Sequence, residues 1–186
     1  GHVWQYIPHC WSLQQDSSNL ISEDSEIARR AIIHGARWQE AEGPFKQTRS
    51  LLVLDGENNY ISVADNPHLR VKTYTAEVWI KPEEAAEPIW KGLIGKPGWG
   101  FQMWLTRAGR IRHFFYIEPS ESKVVDTPNG SIDWHQWNHV AITNDGTTAQ
   151  TYINGSLIAE IETGGGLCVE GQPLYLGCSF EKRKGN

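Results

Sequence analysis

The sequence predicts an all-β fold, a sandwich or barrel of antiparallel strands. Short apolar runs follow one another from residue 51 to residue 177, apolar and polar side chains alternate within them, and Asp-Gly or Asn-Gly dipeptides separate several of them. Alternation with a period of two indicates half-buried strands, and these dipeptides favour tight turns between antiparallel neighbours. With 186 residues, the chain is expected to form one domain over residues 1–186.

The first fifty residues have the least regular pattern. Residues 10–19 predict a strand followed by a serine-rich turn, and Ser22 or Asp24 is suited to cap one or two helical turns in the charged stretch that follows. The first two residues are typical of a cleaved purification tag, so residues 1–8 are interpreted as a tag remnant and an N-terminal extension.

The central strands are predicted by their alternation. Residues 51–54 and 60–63 are apolar runs split by Asp-Gly and two asparagines, which indicates a hairpin or a tight bend. Residues 71–80 predict one strand, and residues 101–116 predict a hairpin. The side chains assigned to the inward faces of these strands are Tyr74, Ala76, Val78, Ile80, Phe101, Met103, Leu105, Ile111, His113 and Phe115.

The stretch from residue 131 to residue 162 predicts a three-stranded meander. Asp-Gly at 145 and Asn-Gly at 154 adopt the positive-φ turns whose twist matches antiparallel strands, and a further short strand is predicted at "PLYLG". His135 and His139 are four positions apart, which is roughly 13 Å along a strand and too far for one metal ion. Trp137 is predicted to pack in the core.

The side chains opposite the predicted inward faces form a candidate ligand-binding surface. Aromatic rings with polar groups among them are typical of carbohydrate grooves and of protein interfaces. The alternative is that a flanking segment, such as residues 1–30, covers this surface. Trp90 and Trp99, in a glycine-rich loop, are further candidate ligand contacts, or plugs at the end of the sandwich. The predicted surface consists of Glu77, Trp79, Gln102, Trp104, Arg112, Phe114, Tyr116 and His139.

Charge and hydropathy argue against two kinds of partner. The chain has 17 basic and 22 acidic side chains and a net charge of −5, and its basic residues are scattered except for Lys182, Arg183 and Lys184. A nucleic-acid partner is not expected, because binding phosphates requires a concentrated basic face. Membrane insertion is not expected either, because no apolar run reaches the roughly 18 residues of a membrane span.

Glycoside hydrolysis needs two carboxyl groups on one face, and the sequence lacks a convincing pair. Glu160 and Glu162 share a strand face, but glycines follow at the positions where the catalytic motif of glycosidases has a third acidic residue. Glu77 has no acidic neighbour on its strand. The sequence also lacks the motifs of serine hydrolases, zinc peptidases and phosphate-binding loops. We therefore predict that the chain is not an enzyme.

Seven segments between residues 9 and 179 follow one another in a characteristic order. They are "HCWSLQQDSSN", "GARWQEAEGPFKQTRSLLVLDGENNYISVADNPHL", "YTAEVWIKP", "IGKPGWGFQMWL", "WHQWNHVAIT", "DGTTAQTYINGSLIAE" and "PLYLGCS". Together they resemble the laminin-G-like domains of the concanavalin A-like lectin/glucanase superfamily, in particular a bacterial subgroup found in secreted proteins. The resemblance implies a jelly-roll β-sandwich of two curved antiparallel sheets and an extracellular or cell-surface location.

The resemblance also exposes a difference at the C-terminus. Such domains usually end with a strand of the type Gly-x-Ile-Asp-Glu-Val-Arg-Ile, whereas this chain ends "SFEKRKGN". We expect that a partner chain or the N-terminal segment covers the open edge, or that the domain is truncated. Cys168 and Cys178 are suited to form a disulfide if the protein is exported; the alternative is that all three cysteines are reduced.

Calcium is the ion that the resemblance implies. The candidate ligands are oxygen atoms on two loops that the family places near each other. The set lacks two of the acidic groups usual in the family, and turn capping is the alternative role. The candidate ligands are Asp16, Asn19, Asp55, Asn58 and Asn59.

The function predicted from these observations is that of a non-catalytic binding module. The expected ligand is a polysaccharide or glycoconjugate, and the module is expected to be part of a larger secreted or cell-surface protein. One alternative is a protein-interaction or adhesion domain that uses the aromatic face or associates with itself at the open edge. A polysaccharide-active enzyme is the last alternative.

Overall fold

The computed structural model describes residues 20–22, 30–84, 90–98, 100–118, 121–167 and 171–178. Within these ranges the chain forms fourteen strands and one 3₁₀ turn, Pro67–Leu69. The strands are β1 (Leu20–Ser22), β2 (Arg30–His34), β3 (Arg37–Glu42), β4 (Thr48–Val53), β5 (Tyr60–Val63), β6 (Tyr74–Ile80), β7 (Trp90–Gly95), β8 (Phe101–Thr106), β9 (Ile111–Glu118), β10 (Glu121–Asp126), β11 (Asn138–Asn144), β12 (Thr148–Ile153), β13 (Ser156–Glu162) and β14 (Leu174–Leu176).

The strands form two main antiparallel sheets and one separate hairpin. The large sheet has the order β1-β2-β5-β14-β7-β8-β9-β10, and the small sheet has the order β13-β12-β11-β6. Strands β3 and β4 pair only with each other in the described part of the chain. The predicted all-β sandwich is confirmed.

The core lies between the inward faces of the two sheets. Met103 and Phe115 of the large sheet and Val140 and Ile142 of the small sheet have no exposed surface. Burial of each such side chain stabilises the fold by about 2 kcal/mol. The inward faces predicted for β6, β8 and β9 are confirmed, because alternation places every second side chain of a strand on the same face.

A buried polar pair lies inside this apolar core. The Tyr74 hydroxyl of β6 is 2.5 Å from Nε2 of His113 on β9, and the second imidazole nitrogen, Nδ1, is buried without a hydrogen-bond partner among the described residues. Burial raises the pKa of the Tyr74 hydroxyl well above its usual value. Burial lowers the pKa of His113 to about 3. The imidazole is therefore neutral at physiological pH.

The meander of β11, β12 and β13 forms as predicted. Gly146 has a φ of 89° in the first turn, and Asn154 and Gly155 have φ values of 51° and 80° in the second. Asn and Gly tolerate this left-handed region better than other residues. In the first turn, Oδ1 of Asp145 also accepts hydrogen bonds from the backbone amides of Thr147 and Thr148. The turn dipeptides therefore determine where the strands reverse.

The structure decides between the two alternatives for residues 51–63 and corrects part of a second local prediction. Strand β4 pairs with β3 whereas β5 pairs with β2 and β14, so the segment between β4 and β5 is a bend and not a hairpin. The charged stretch predicted as helical ends in strand β2, in which Ala31 and Ile33 are buried opposite β5. Pairing with a buried neighbour outweighs the weak helical preference of residues 30–32. Residues 23–29 lie outside the described residues, so helical turns there stay a prediction.

The loop before β11, residues 131–137, connects three parts of the fold. The backbone amide of His135 donates to the Pro82 carbonyl. Nδ1 of the His135 imidazole is 2.6 Å from Oε2 of Glu83. The indole N–H of Trp137 donates to the Glu42 carbonyl at the end of β3. Trp137 is only half-buried, and Trp134 packs against the core in its place, so the prediction for Trp137 is wrong. These Trp and His side chains position the loop.

Candidate functional site

The predicted ligand-binding residues lie on two different outer faces. The prediction that they share one surface is wrong, because β6 and β11 belong to the small sheet whereas β8 and β9 belong to the large sheet. Side chains that point away from the core in the two sheets of a sandwich point in opposite directions. The small sheet carries Glu77, Trp79 and His139, and the large sheet carries Trp90, Gln102, Trp104, Arg112, Phe114 and Tyr116. Trp99 lies outside the described residues.

On the small sheet, three of these side chains are neighbours. Trp79 of β6 and His139 of β11 are directly opposite each other in the antiparallel register, and their ring centroids are 5.1 Å apart. Nε2 of His139 is 3.3 Å from Oε2 of Glu77. The amide of His139 also donates to the side chain of Asn154 in the β12–β13 turn, which fixes the strand end.

The hairpin of β3 and β4 adds a fourth member that the sequence prediction missed. Phe45 lies at the hairpin tip, where Lys46 has a φ of 57° and the amide of Gly43 donates to the Gln47 carbonyl. The Phe45 ring meets the Trp79 ring edge to face, with centroids 5.2 Å apart. We call Phe45, Glu77, Trp79 and His139 the small-sheet platform.

The small-sheet platform leaves large aromatic surfaces in contact with solvent. Phe45 is 63% exposed and Trp79 is 40% exposed, although each ring already contacts the other. The exposed Glu77 carboxylate and the His139 imidazole provide hydrogen-bonding groups beside the rings. Apolar ring faces next to a few polar groups are suited to a ligand with both C–H faces and hydroxyl groups.

On the large sheet, the aromatic side chains pack mainly against one another. We call Trp90, Trp104, Phe114 and Tyr116 the large-sheet ladder. Trp104 stacks on Phe114 with centroids 5.6 Å apart, meets Trp90 edge to face at 5.5 Å, and is only 5% exposed. Gln102 lies beside Phe114 in the β8–β9 register. Trp104 therefore supports its neighbours from below. The aromatic surface that solvent or a ligand can reach belongs to the half-buried rings around it.

At one end of the ladder, two arginines surround one aspartate. Arg112 donates to Oδ1 of Asp126 from Nε at 2.8 Å and to Oδ2 from Nη2 at 2.6 Å. The Arg112 guanidinium also lies 4.6 Å from the centroid of the Trp90 ring. Nη1 of Arg110 is 3.6 Å from Oδ2 of Asp126. This arrangement combines an aromatic ring with one positive charge in excess.

The loop predicted to bind calcium is held by its own hydrogen bonds. Oδ1 of Asp55 accepts from the amides of Glu57, Asn58 and Asn59, at distances of 2.9 to 3.1 Å. These amides, with that of Glu57 first, hold the pKa of Asp55 below its usual value. The turn-capping role is thus present, and calcium binding stays a prediction. The remaining two candidate ligands, Asp16 and Asn19, lie outside the described residues. Cys10 and Cys168 also lie outside them, so the disulfide between Cys168 and Cys178 stays a prediction.

No metal cluster forms in the described part of the chain. Within those ranges, no group of three or more His, Cys, Asp and Glu side chains is arranged to hold a metal ion. Glu160, on the outer strand of the small sheet, accepts a hydrogen bond from Gln150. No helix in the described ranges has the length and hydrophobicity of a membrane span. The absence of enzymatic activity stays a prediction.

The sequence agrees with a family model over residues 55–186, which include β5 to β14 and therefore most of both sheets. The family is a laminin G family described as "Concanavalin A-like lectin/glucanases superfamily". The chain belongs to this superfamily. The resemblance found in the sequence is thereby confirmed, whereas the bacterial subgroup and the missing closing strand stay predictions. No curated protein matches the chain in sequence.

Solved structures similar to this concanavalin A-like domain include three that hold a bound ligand or partner. The CBM40 domain of the Ruminococcus gnavus IT-sialidase, bound to α2,3 sialyllactose, has a TM-score of 0.50 and 19% identity, over 58% of this chain and 64% of that chain. The binding domain of botulinum neurotoxin DC, in complex with SialylT, has a TM-score of 0.67 and 15% identity, over 91% and 42%. Domain 4 of AbnA, a GH43 extracellular arabinanase from Geobacillus stearothermophilus, in complex with arabinotriose, has a TM-score of 0.60 and 19% identity, over 85% and 78%.

These similarities establish the concanavalin A-like fold. This domain spans less than two thirds of the sialidase module and less than half of the toxin domain. Because one fold hosts many functions, the function of this domain has to be argued from its own side chains.

Proposed function

We propose that this domain is a non-catalytic carbohydrate-binding module that holds a sugar on the small-sheet platform. The observation that carries the proposal is the exposed pair of Phe45 and Trp79, two rings in edge-to-face contact beside the Glu77–His139 pair. Exposed aromatic rings of this size on a folded domain are typical of binding surfaces.

Each member of the platform has a distinct role in the proposed complex. The indole of Trp79 packs against the C–H face of a sugar ring, and Phe45 forms a wall at its side. The Glu77 carboxylate accepts hydrogen bonds from sugar hydroxyl groups, because an ionised carboxylate is an acceptor only. His139, half-buried between Trp79 and Glu77, keeps both side chains in place.

The solved structures support a carbohydrate as the ligand class. Structures with the same fold are described in complex with sialyllactose and with arabinotriose. One of them is a domain of an extracellular arabinanase, which supports a place outside the cell, within a larger protein. We therefore propose a polysaccharide or glycoconjugate ligand and an extracellular or cell-surface location.

Removal of the Trp79 indole is expected to abolish most of the sugar binding. A glycan array identifies the ligand of the wild type, and calorimetry then compares it with Trp79→Ala and Phe45→Ala. Trp79→Ala should weaken binding by about tenfold or more, because a lost aromatic contact of about 1.5 kcal/mol corresponds to a factor of ten. Phe45→Ala should give a smaller decrease.

The matched control is Thr75→Ala, which changes an exposed side chain on the same strand and the same face as Trp79. It should bind like the wild type. Circular dichroism and thermal melting check that all variants are folded. The proposal fails if no glycan binds, or if folded Trp79→Ala binds as tightly as the wild type.

A role in self-association is the second candidate, and the observation that favours it is at the other edge of the small sheet. Strand β13 ends this sheet in the described ranges, and its Leu157 and Ile158 are 46% and 39% exposed. Apolar side chains on an edge strand favour pairing with another chain. Light scattering should then detect a dimer that Leu157→Lys converts to a monomer. A wild type that stays monomeric at all concentrations rules this candidate out.

A further inference from the structure

Arg110 is the member of the arginine–aspartate group with unused donors. Both oxygens of Asp126 are already engaged by the fork of Arg112. Nη1 of Arg110 is 3.6 Å from Asp126, which is too long for a normal hydrogen bond, and Nε of Arg110 is buried without a hydrogen-bond partner among the described residues. The Arg110 side chain keeps 30% of its surface exposed. It can therefore reach a ligand in solvent.

The surroundings of Arg110 provide more than a charge. Arg110 immediately precedes strand β9, and its Nη1 faces the same Asp126 oxygen as Nη2 of Arg112, so both guanidinium groups lie on the same outer face. On the same face, Trp90 lies under the Arg112 guanidinium and beside Trp104. The outer face thus combines a positive group and an indole ring at neighbouring positions.

We propose that Arg110, together with Trp90, forms a second glycan site that takes sugars bearing a carboxylate or a sulfate ester. A guanidinium presents parallel N–H donors that match a carboxylate or a sulfate, and a tryptophan face packs against a sugar ring. Arg112 and Asp126 hold each other and orient the indole. The site lies on the outer face of the large sheet, on the opposite side of the sandwich from the small-sheet platform, and goes beyond the proposed function by making the domain bivalent.

The charge distribution makes this site selective. The whole chain has a net charge of −5, so an acidic ligand is repelled by most of the surface. Two guanidinium groups around one carboxylate leave a local positive charge at Arg110. Binding should therefore weaken as salt is added, because partly exposed charges are screened over about 10 Å at 0.1 M ionic strength.

The test uses one sugar backbone with and without its charge. Calorimetry measures binding of oligogalacturonides with free carboxylates, of the same oligomers as full methyl esters, and of a sulfated galactan oligomer. Each ligand is measured with the wild-type protein and with the variants Arg110→Gln, Arg110→Lys and Trp79→Ala, all as the full chain. The wild type should bind at least one of the two acidic ligands about tenfold or more tightly than the methyl ester, and the two acidic arms distinguish carboxylate from sulfate.

The variants separate this site from the small-sheet platform. Arg110→Gln should lose about tenfold or more of the acidic binding, Arg110→Lys should retain part of it, and Trp79→Ala should retain all of it. Binding of neutral glycans should be unchanged in Arg110→Gln. The proposal is overturned if neither acidic ligand binds more tightly than the methyl ester, or if folded Arg110→Gln binds the acidic ligand like the wild type. A failure of Trp79→Ala to affect neutral glycans overturns the platform instead.

Discussion

Acidification from pH 6.5 to pH 3 is expected to remove about 5 kcal/mol of folding free energy through one side chain, His113. The imidazole is fully buried in the core, and burial lowers its pKa from 6.5 to about 3. Below pH 6.5 the unfolded chain binds a proton on His113, whereas the folded chain does so only near pH 3. The contribution of neutral His113 to the free energy of unfolding is therefore fully present above pH 6.5, and it is lost as the pH falls from 6.5 to 3.

This loss is comparable to the total stability of a small domain, which is about 5 to 15 kcal/mol. Urea unfolding at pH 7.5, 6, 5 and 4 should therefore give a free energy of unfolding that falls at each step. His113→Phe should flatten this dependence, although its stability at pH 7.5 is lower because the Tyr74 hydroxyl loses its partner.

The matched control for this experiment is His68→Gln, which removes an exposed imidazole from the Pro67–Leu69 turn. It should keep the pH dependence of the wild type. NMR gives an independent readout, because the His113 ring signals should not titrate while the protein is folded. An imidazole of His113 that titrates near pH 6.5 in the folded protein would contradict the prediction.

Asn138→Ala is expected to destabilise the domain by about 3 kcal/mol. The Asn138 side chain has no exposed surface, and its Oδ1 accepts from the amide of Asp133. Its Nδ2 donates to the carbonyls of Asp133 and Gln136 at 2.8 and 2.9 Å. Alanine leaves three backbone groups without these partners, each at a cost of about 1 kcal/mol or more. Urea unfolding at pH 7.5 measures the change.

Gln136→Ala is the control in the same loop, because the Gln136 side chain is exposed and only its backbone carbonyl contacts Asn138. It should change the free energy of unfolding by less than about 0.5 kcal/mol. If Asn138→Ala is as stable as Gln136→Ala, the loop is not held by the Asn138 amide.

The faces of the strands could be predicted from the sequence because alternation is a local property. Tyr74, Met103 and Phe115 all point into the core as their position in an alternating run requires. The same rule shows that Trp79 and Trp104 both point away from the core. It does not show which sheet each strand joins, so the sequence prediction placed both side chains on one surface.

Which residues belong to the candidate sites could not be predicted from the sequence, because their contacts join segments that are far apart in the chain. Phe45 is in a short turn, and nothing around it predicts that the hairpin tip meets Trp79. Arg110 lies outside the alternating run, and its relation to Asp126 arises only when β9 pairs with β10. An exposed aromatic residue in the turn "GPFK" was the available signal for Phe45, and it is a weak one.

By itself, the sequence determined an all-β fold of antiparallel strands, the reversals at Gly146 and Gly155, and the inward face of each central strand. These follow from turn geometry and from a period of two, which act over a few residues. The tertiary structure decided that Trp79 and His139 lie on the small sheet, with Arg112 on the large one. That division follows from long-range strand pairing, in which burial across both sheets determines which strands become neighbours.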